Sequence, residues 1–108
     1  MWKDITGFES AYEISDSGVV RSKDRMCVDS KGRKRFRKGQ VLNPDIASNG
    51  YYRVTLAKDG KKVQKYLHRL IAEHFIPNAD NLPQINHKDG NKLNCSIGNL
   101  EWVSAQDN

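Results

Sequence analysis

The sequence has no apolar run near the roughly 20 residues that a membrane-spanning helix needs. The segment after Met1 is polar, unlike the apolar core of a secretory leader. Both absences lead to the expectation of a cytoplasmic chain with no membrane partner. Cysteine is nearly as scarce: Cys27 and Cys95 form no C-x-x-C pair, which gives no support to a zinc knuckle or a dithiol redox centre; two free thiols are the expected state, with a disulfide between them the lesser alternative. Length excludes a large enzyme, since 108 residues suffice for one modest core or two small cores sharing an interface. A hydrophobic fraction of 37% with 29% charged residues describes a soluble globular chain.

The net charge of +5 is unevenly spread. Residues 1–20 hold one Lys against four acids, whereas residues 21–42 hold nine Lys and Arg against two acids. Arg21, Lys23, Arg25, Lys31, Arg33, Lys34, Arg35, Arg37 and Lys38 would offer a polyanion several phosphate contacts. The same charges also suit a solvated hairpin whose basic edges block aggregation.

Tyr12 and Ile14 alternate with Glu13 and Ser15, which predicts a half-buried strand. Asp16-Ser17-Gly18 is a turn signal, and residues 19–22 return as a second strand. Trp2, Phe8 and Tyr12 are the expected aromatic core of this small sheet. Ser30-Lys31-Gly32 predicts a hairpin tip, and Val41-Leu42 a return to the core. Residues 51–56 and 62–66 form a further hairpin around Asp59-Gly60. Tyr52, Val54 and Leu56 share its inner face, and Tyr51 and Arg53 are expected outside, facing water or a ligand. Leu67, Leu70, Ile71, His74 and Phe75 fall at i, i+3, i+4, i+7 and i+8, the stripe of an amphipathic helix that Pro77 ends. His68 and His74 are expected to pack or to bond local carbonyls.

Residues 84–108 read as a strand ending in Ile85-Asn86-His87, a long loop of turn formers, and a strand over residues 100–103. Ser104 with Asp107 three residues later has the form of a capping box that opens a helix. The whole is α+β: small antiparallel sheets and hairpins, one amphipathic helix and a C-terminal hairpin whose last helix is cut short. The expected division is a basic N-terminal β module over residues 1–45 and a second unit over 46–108.

The run Asn86-His87, Asp89-Gly90-Asn91-Lys92, Asn94 and Asn99-Leu100-Glu101-Trp102-Val103-Ser104, closed by Asn108, resembles the core of the HNH homing endonucleases of phages and mobile introns. Trp2, Gly7, Phe8, Glu9, Tyr12-Glu13-Ile14-Ser15, Gly18 and Arg21-Ser22 resemble the N-terminal module that often precedes this core. His68-Arg69-Leu70-Ile71-Ala72 and Phe75 resemble the family's helix just upstream of it.

The resemblance implies hydrolysis of a DNA phosphodiester, with His87 as the base that activates water. It implies a metal held between Asn86 and Asn108, whose amide oxygens suit one divalent cation such as Mg²⁺ or Mn²⁺, with no zinc. Asn99 would brace the loop through its side chain. Arg21, Lys23, Arg25, Arg33, Lys34, Arg35, Arg37, Lys38, Arg53 and Lys92 are the candidate contacts to double-stranded DNA, and the chain is expected to act as a monomer. The resemblance also implies a core truncated at its final helix. Two other readings stay open: a non-catalytic DNA-binding module of the same fold, and a small phage protein that binds another protein.

Overall fold

The computed structural model describes residues 1–58 and 60–105, the side chain of Cys27 left aside. Its first three strands, β1 (Trp2–Asp4), β2 (Tyr12–Ser15) and β3 (Val20–Ser22), form an antiparallel sheet in the order β1-β2-β3. Alternation sends Tyr12 and Ile14 inward, and Gly18 closes the β2–β3 turn at φ +87°, a conformation that other L-residues adopt only under strain. A Cβ added there would lie 3.5 Å from Cδ1 of Ile71, an ordinary contact, so the backbone conformation and not space is what favours glycine at this turn.

Strands β4 (Arg25–Val28) and β5 (Lys34–Arg37) make a separate two-stranded ribbon. Three further strands, β6 (Asp45–Ile46), β7 (Tyr52–Lys58) and β8 (Lys61–Tyr66), form the second three-stranded sheet, with Val54 and Leu56 of β7 buried. Strand β8 runs without a break into helix α1 (Leu67–Phe75), which has no side-chain N-cap. The last pair, β9 (Gln84–His87) and β10 (Leu100–Val103), is antiparallel and carries a short 3-10 turn over Ile97–Asn99 just before β10.

One core draws on β2, β3, β7, α1, β9 and β10, with Ile5 just after β1. Ile71 and Ala72 of α1 are fully enclosed with Ile5, Ile14, Val20, Leu56, Ile85 and Leu100. Polar ties reinforce the packing. The Tyr12 hydroxyl accepts the Ala57 N–H at 3.1 Å, Lys3 Nζ donates to the His74 carbonyl at 2.7 Å, and Trp102 Nε1 donates to the Ile76 carbonyl at 3.0 Å. Among the described residues no helix is long and apolar enough to cross a membrane.

The α+β architecture agrees with the expectation, and three details correct it. Trp2 is not core: it is 38% exposed, and the Arg21 guanidinium lies 3.6 Å from its ring centre, so it serves as a surface platform for a cation. Val41 is exposed and only its neighbour Leu42 packs on the core, because Val41 pairs in extended backbone with Arg21 and so points away. Tyr51 is half-buried, its ring lying against the imidazoles of His68 and His87. Cys95 is a buried free thiol, and burial pushes it up to about 11, which keeps it protonated and unreactive. The capping box at Ser104 and Asp107 and the ligand proposed at Asn108 reach residues 106–108, outside those described.

Candidate functional site

In the β9–β10 pair Leu100 lies opposite His87 and Glu101 opposite Asn86. The period of two turns Ile85 and His87 into the interior and leaves Asn86 half-buried on the other face. There Asn86 Nδ2 donates to Glu101 Oε1 at 2.9 Å. This bond commits the amide N–H side to the carboxylate, so the atom that Asn86 presents elsewhere is its carbonyl oxygen. Glu101 is a member of the site that sequence reasoning passed over. Its signal was positional, since a carboxylate directly across a ladder from an amide lies within bonding reach.

The loop between the strands is held by one buried amide. Asn99 Oδ1 accepts the Asp89 N–H at 3.0 Å, while its Nδ2 donates to Asp89 Oδ1 at 3.0 Å and to the Asn94 carbonyl at 2.9 Å. Asp89 also accepts from Asn94 Nδ2 at 2.8 Å and from the Asn91 N–H at 2.8 Å. These bonds, the one from Asn94 foremost, hold the Asp89 carboxyl below its ordinary range. A loop this polar satisfies its backbone internally, and the result is a fixed turn directly after His87.

His87 is 7% exposed, and its ring belongs to a cluster drawn from three elements. The Tyr51 ring, from the turn before β7, lies 4.6 Å from the His68 ring and 5.6 Å from the His87 ring, tilted by 31° and 36°. The two imidazole centres are 5.2 Å apart. Tyr66 flanks His68 at 5.6 Å, and Lys92 Nζ stands 5.1 Å from the Tyr51 ring while donating to the Asn49 carbonyl at 3.1 Å. Burial lowers the basicity of His87; Asp89 opposes that shift and Lys92 adds to it. Burial, with His87 and Arg69 adding to it, pushes His68 down to about 4. Near neutral pH both rings are neutral imidazoles, the form that can take up a proton.

Tyr51 and His68 were not expected here. The helical stripe places His68 beside the buried face of α1, but only the β8–α1 junction carries it to His87. His74, by contrast, has a local role: its Nε2 accepts the Thr6 N–H at 3.0 Å and its Nδ1 donates to the Leu70 carbonyl at 2.6 Å.

The buried state of His68 has a consequence for stability. Its pKa in the fold, about 4, lies below the ordinary 6.5, so the unfolded chain binds a proton first as pH falls. The associated stability is complete above 6.5 and is lost as pH drops from 6.5 towards 4, by on the order of 3 kcal/mol in total. Urea midpoints measured at pH 7.5 and 4.5 should show this loss, and the difference should shrink in His68→Phe.

The basic candidates divide among several places. Arg21 Nε pairs with Glu13, Lys23 with Asp4 at 2.6 Å, and Arg53 with Asp45 at 3.0 Å. Arg33 and Arg35 converge on one carboxylate oxygen of Asp29, at 3.0 and 3.3 Å. Register in the β4–β5 ribbon sets Arg25 opposite Arg37, Met26 opposite Phe36 and Val28 opposite Lys34. Arg25, Arg35 and Arg37 therefore share one face of the ribbon, with Met26, Val28, Lys34 and Phe36 on the other. Lys38 follows the ribbon and is exposed. Of all these cations only Lys92 stands beside the His87 cluster.

Among the described residues no three His, Cys, Asp or Glu side chains converge as a metal site. On the strand face opposite His87 the oxygen donors are the Asn86 amide and the Glu101 carboxylate, hard groups of the kind that hold a divalent cation.

The NUMOD4 motif family matches residues 1–57, just over half of the chain, and the HNH endonuclease family matches residues 65–108. DNA endonuclease I-HmuI of Bacillus phage SP01 is 36% identical over 107 residues, covering 99% of this chain and 54% of its own length. H-N-H endonuclease F-TflII of Escherichia phage T5 is 40% identical over 70 residues, covering 63% of this chain and 36% of its own. A solved structure of the HNH homing endonuclease I-HmuI, concerned with DNA binding and cleavage, superposes with a TM-score of 0.74 over 99% of this chain and 54% of that one. The chain thus spans about half the length of I-HmuI and about a third of F-TflII.

Proposed function

Because this chain belongs to the HNH endonucleases that carry a NUMOD4 motif ahead of the nuclease domain, we propose that it is a homing-type nuclease that nicks or cleaves double-stranded DNA by hydrolysis. The observation that carries this reading is the juxtaposition of a buried neutral imidazole, His87, with an oriented amide, Asn86, on adjacent positions of one strand that ends in a braced loop.

In this reading His87 takes the proton of the attacking water. Asn86 and Asn108 would hold one divalent cation, Mg²⁺ or Mn²⁺, through their amide oxygens, and Glu101, bonded to the Asn86 N–H side, keeps that oxygen turned outward. The bound cation supplies charge neutralisation at the phosphate and leaving oxygen. Asn99 fixes the loop that follows His87, and Lys92 reaches the DNA backbone. The division of labour proposed is a basic module over residues 1–45 and a nuclease core over 46–108.

The β4–β5 ribbon supports the DNA-binding part. The major groove admits a two-stranded β-ribbon, and Arg25, Arg35 and Arg37 line one face of this one. Arg21, Lys23, Arg33, Lys34, Lys38 and Arg53 extend the basic surface, although Glu13, Asp4, Asp29 and Asp45 already pair with five of the cations and so weaken the net field. The long axis of 52 Å matches roughly 15 base pairs at about 3.4 Å each, and the chain is proposed to act as a monomer. The proposed setting is the cytoplasm of a bacterial or phage-infected cell.

Supercoiled plasmid incubated with the protein and Mg²⁺ or Mn²⁺ is expected to convert to open-circle or linear DNA, and EDTA to stop the conversion. A gel shift with no cleavage under any divalent cation would instead make the chain a DNA-binding module. Absence of both at low salt would leave a protein-binding role.

A further inference from the structure

Among the described residues two buried side-chain nitrogens lack a hydrogen-bond partner, His68 Nδ1 and His87 Nε2. Leaving a buried polar atom unpaired costs about 1–3 kcal/mol, so two such atoms in neighbouring rings call for one explanation. Their centres are 5.2 Å apart with planes at 55°. That is close to the spacing of two imidazoles meeting edge to edge across an N–H···N bond of about 2.9 Å. As the rings stand the two nitrogens are not bonded to each other, but the terminal torsion of histidine is soft, so ring rotation or one bridging water can join them.

The protonation states suit this pairing. A neutral imidazole has one N–H and one lone pair. His87 Nε2 is buried and cannot meet a substrate water, so the lone pair that takes the proton in the proposed reaction must be that of Nδ1. For Nδ1 to carry the lone pair, Nε2 must carry the hydrogen, and that hydrogen needs an acceptor. His68 sits in the first turn of α1, where the positive end of the helix dipole disfavours an imidazolium and keeps the ring an acceptor. Tyr51 and Tyr66 hold the His68 ring from two sides, at 4.6 and 5.6 Å.

We propose that His68 is a positioning residue for His87: its Nδ1 accepts the His87 Nε2–H, directly or through one water, and holds His87 in the tautomer whose Nδ1 lone pair is the base. This rests on the reading of His87 as the base, but the tautomer can be observed without any reaction. It also accounts for the burial of His68, which packing alone would fill with a leucine or phenylalanine at lower desolvation cost.

The test is nitrogen-15 NMR of the imidazole side chains at pH 8 without metal or DNA, joined to plasmid nicking. In the native chain His87 should show a protonated Nε2 and an unprotonated Nδ1. His68→Phe preserves ring packing and removes the acceptor. It should shift His87 to a tautomer mixture and lower the nicking kcat on the order of tenfold or more, with KM for DNA little changed. His68→Gln, whose amide oxygen can accept, should recover the tautomer and most of the rate. A native His87 protonated on Nδ1, or a His87 signal in a folded His68→Phe identical to the native one, would overturn the proposal. Should the chain bind DNA without cutting it, the tautomer result still decides the matter, and the failure then belongs to the nuclease reading alone.

Discussion

Replacing His87 by alanine is expected to lower plasmid cleavage by about 10²–10⁴-fold, the usual contribution of a positioned general base. DNA affinity should fall little, because the cations proposed to hold the duplex lie on the ribbon, β3, β7 and the loop at Lys92. The expectation follows from what remains once the ring is gone. No other imidazole lies on the strand beside Asn86: His68 is in the first turn of α1, and His74 is bonded at both nitrogens to Leu70 and Thr6. The fold should survive, since Ile85 and Leu100 keep the strand pair on the core and Asn99 keeps the loop on Asp89. Initial nicking rates of wild type and His87→Ala, with circular dichroism on both, check this. A variant that cleaves within a few-fold of wild type would remove His87 from the reaction.

The second large effect concerns the core. Ile71→Ala should destabilise the protein by about 2–5 kcal/mol. A domain of this size has only about 5–15 kcal/mol to lose. Ile71 is fully buried at the point where the first sheet, the second sheet and the β9–β10 pair meet α1, and its Cδ1 lies directly above the β2–β3 turn at Gly18. Truncating it opens a cavity beneath every layer at once. Because the N-terminal sheet and the β9–β10 hairpin share this one core, they should unfold together. Urea unfolding followed by Trp2 and Trp102 fluorescence and by far-ultraviolet circular dichroism should therefore give coincident transitions in both wild type and variant. Two separated transitions would show that the two halves are independent domains.

Local pattern made much of the architecture legible. The alternation Tyr12-Glu13-Ile14-Ser15, the Asp16-Ser17-Gly18 turn and the Leu67, Leu70, Ile71 stripe each depend on neighbours within a few positions, and the structure has a strand, a turn and a helix there. The expected core position of Trp2 failed for the complementary reason. An aromatic on a three-residue edge strand has only one neighbouring strand, its partner across that ladder is the small Ser15, and the group over its ring is the Arg21 guanidinium from β3. The basic stretch was readable as charge but not as free charge. Which of its cations face water depends on where Asp29, Glu13 and Asp45 land, and a sequence does not tell one carboxylate's reach from another's.

By itself, the sequence determined an α+β chain built from hairpins with one helix, membership of the HNH endonucleases, and the positions of Asn86, His87 and Asn99. Those three lie within 14 consecutive residues whose turn chemistry and strand period suffice to place them. Tertiary structure decided what surrounds His87. Tyr51, Tyr66 and His68 come from a turn, a strand end and a helix start at least 19 residues earlier, and only the continuous β8–α1 junction and the packing of α1 on the β9–β10 pair carry them there. The lowered basicity of His87 follows first from that burial, which Asp89 opposes and Lys92 reinforces, and desolvation is a property of the assembled core.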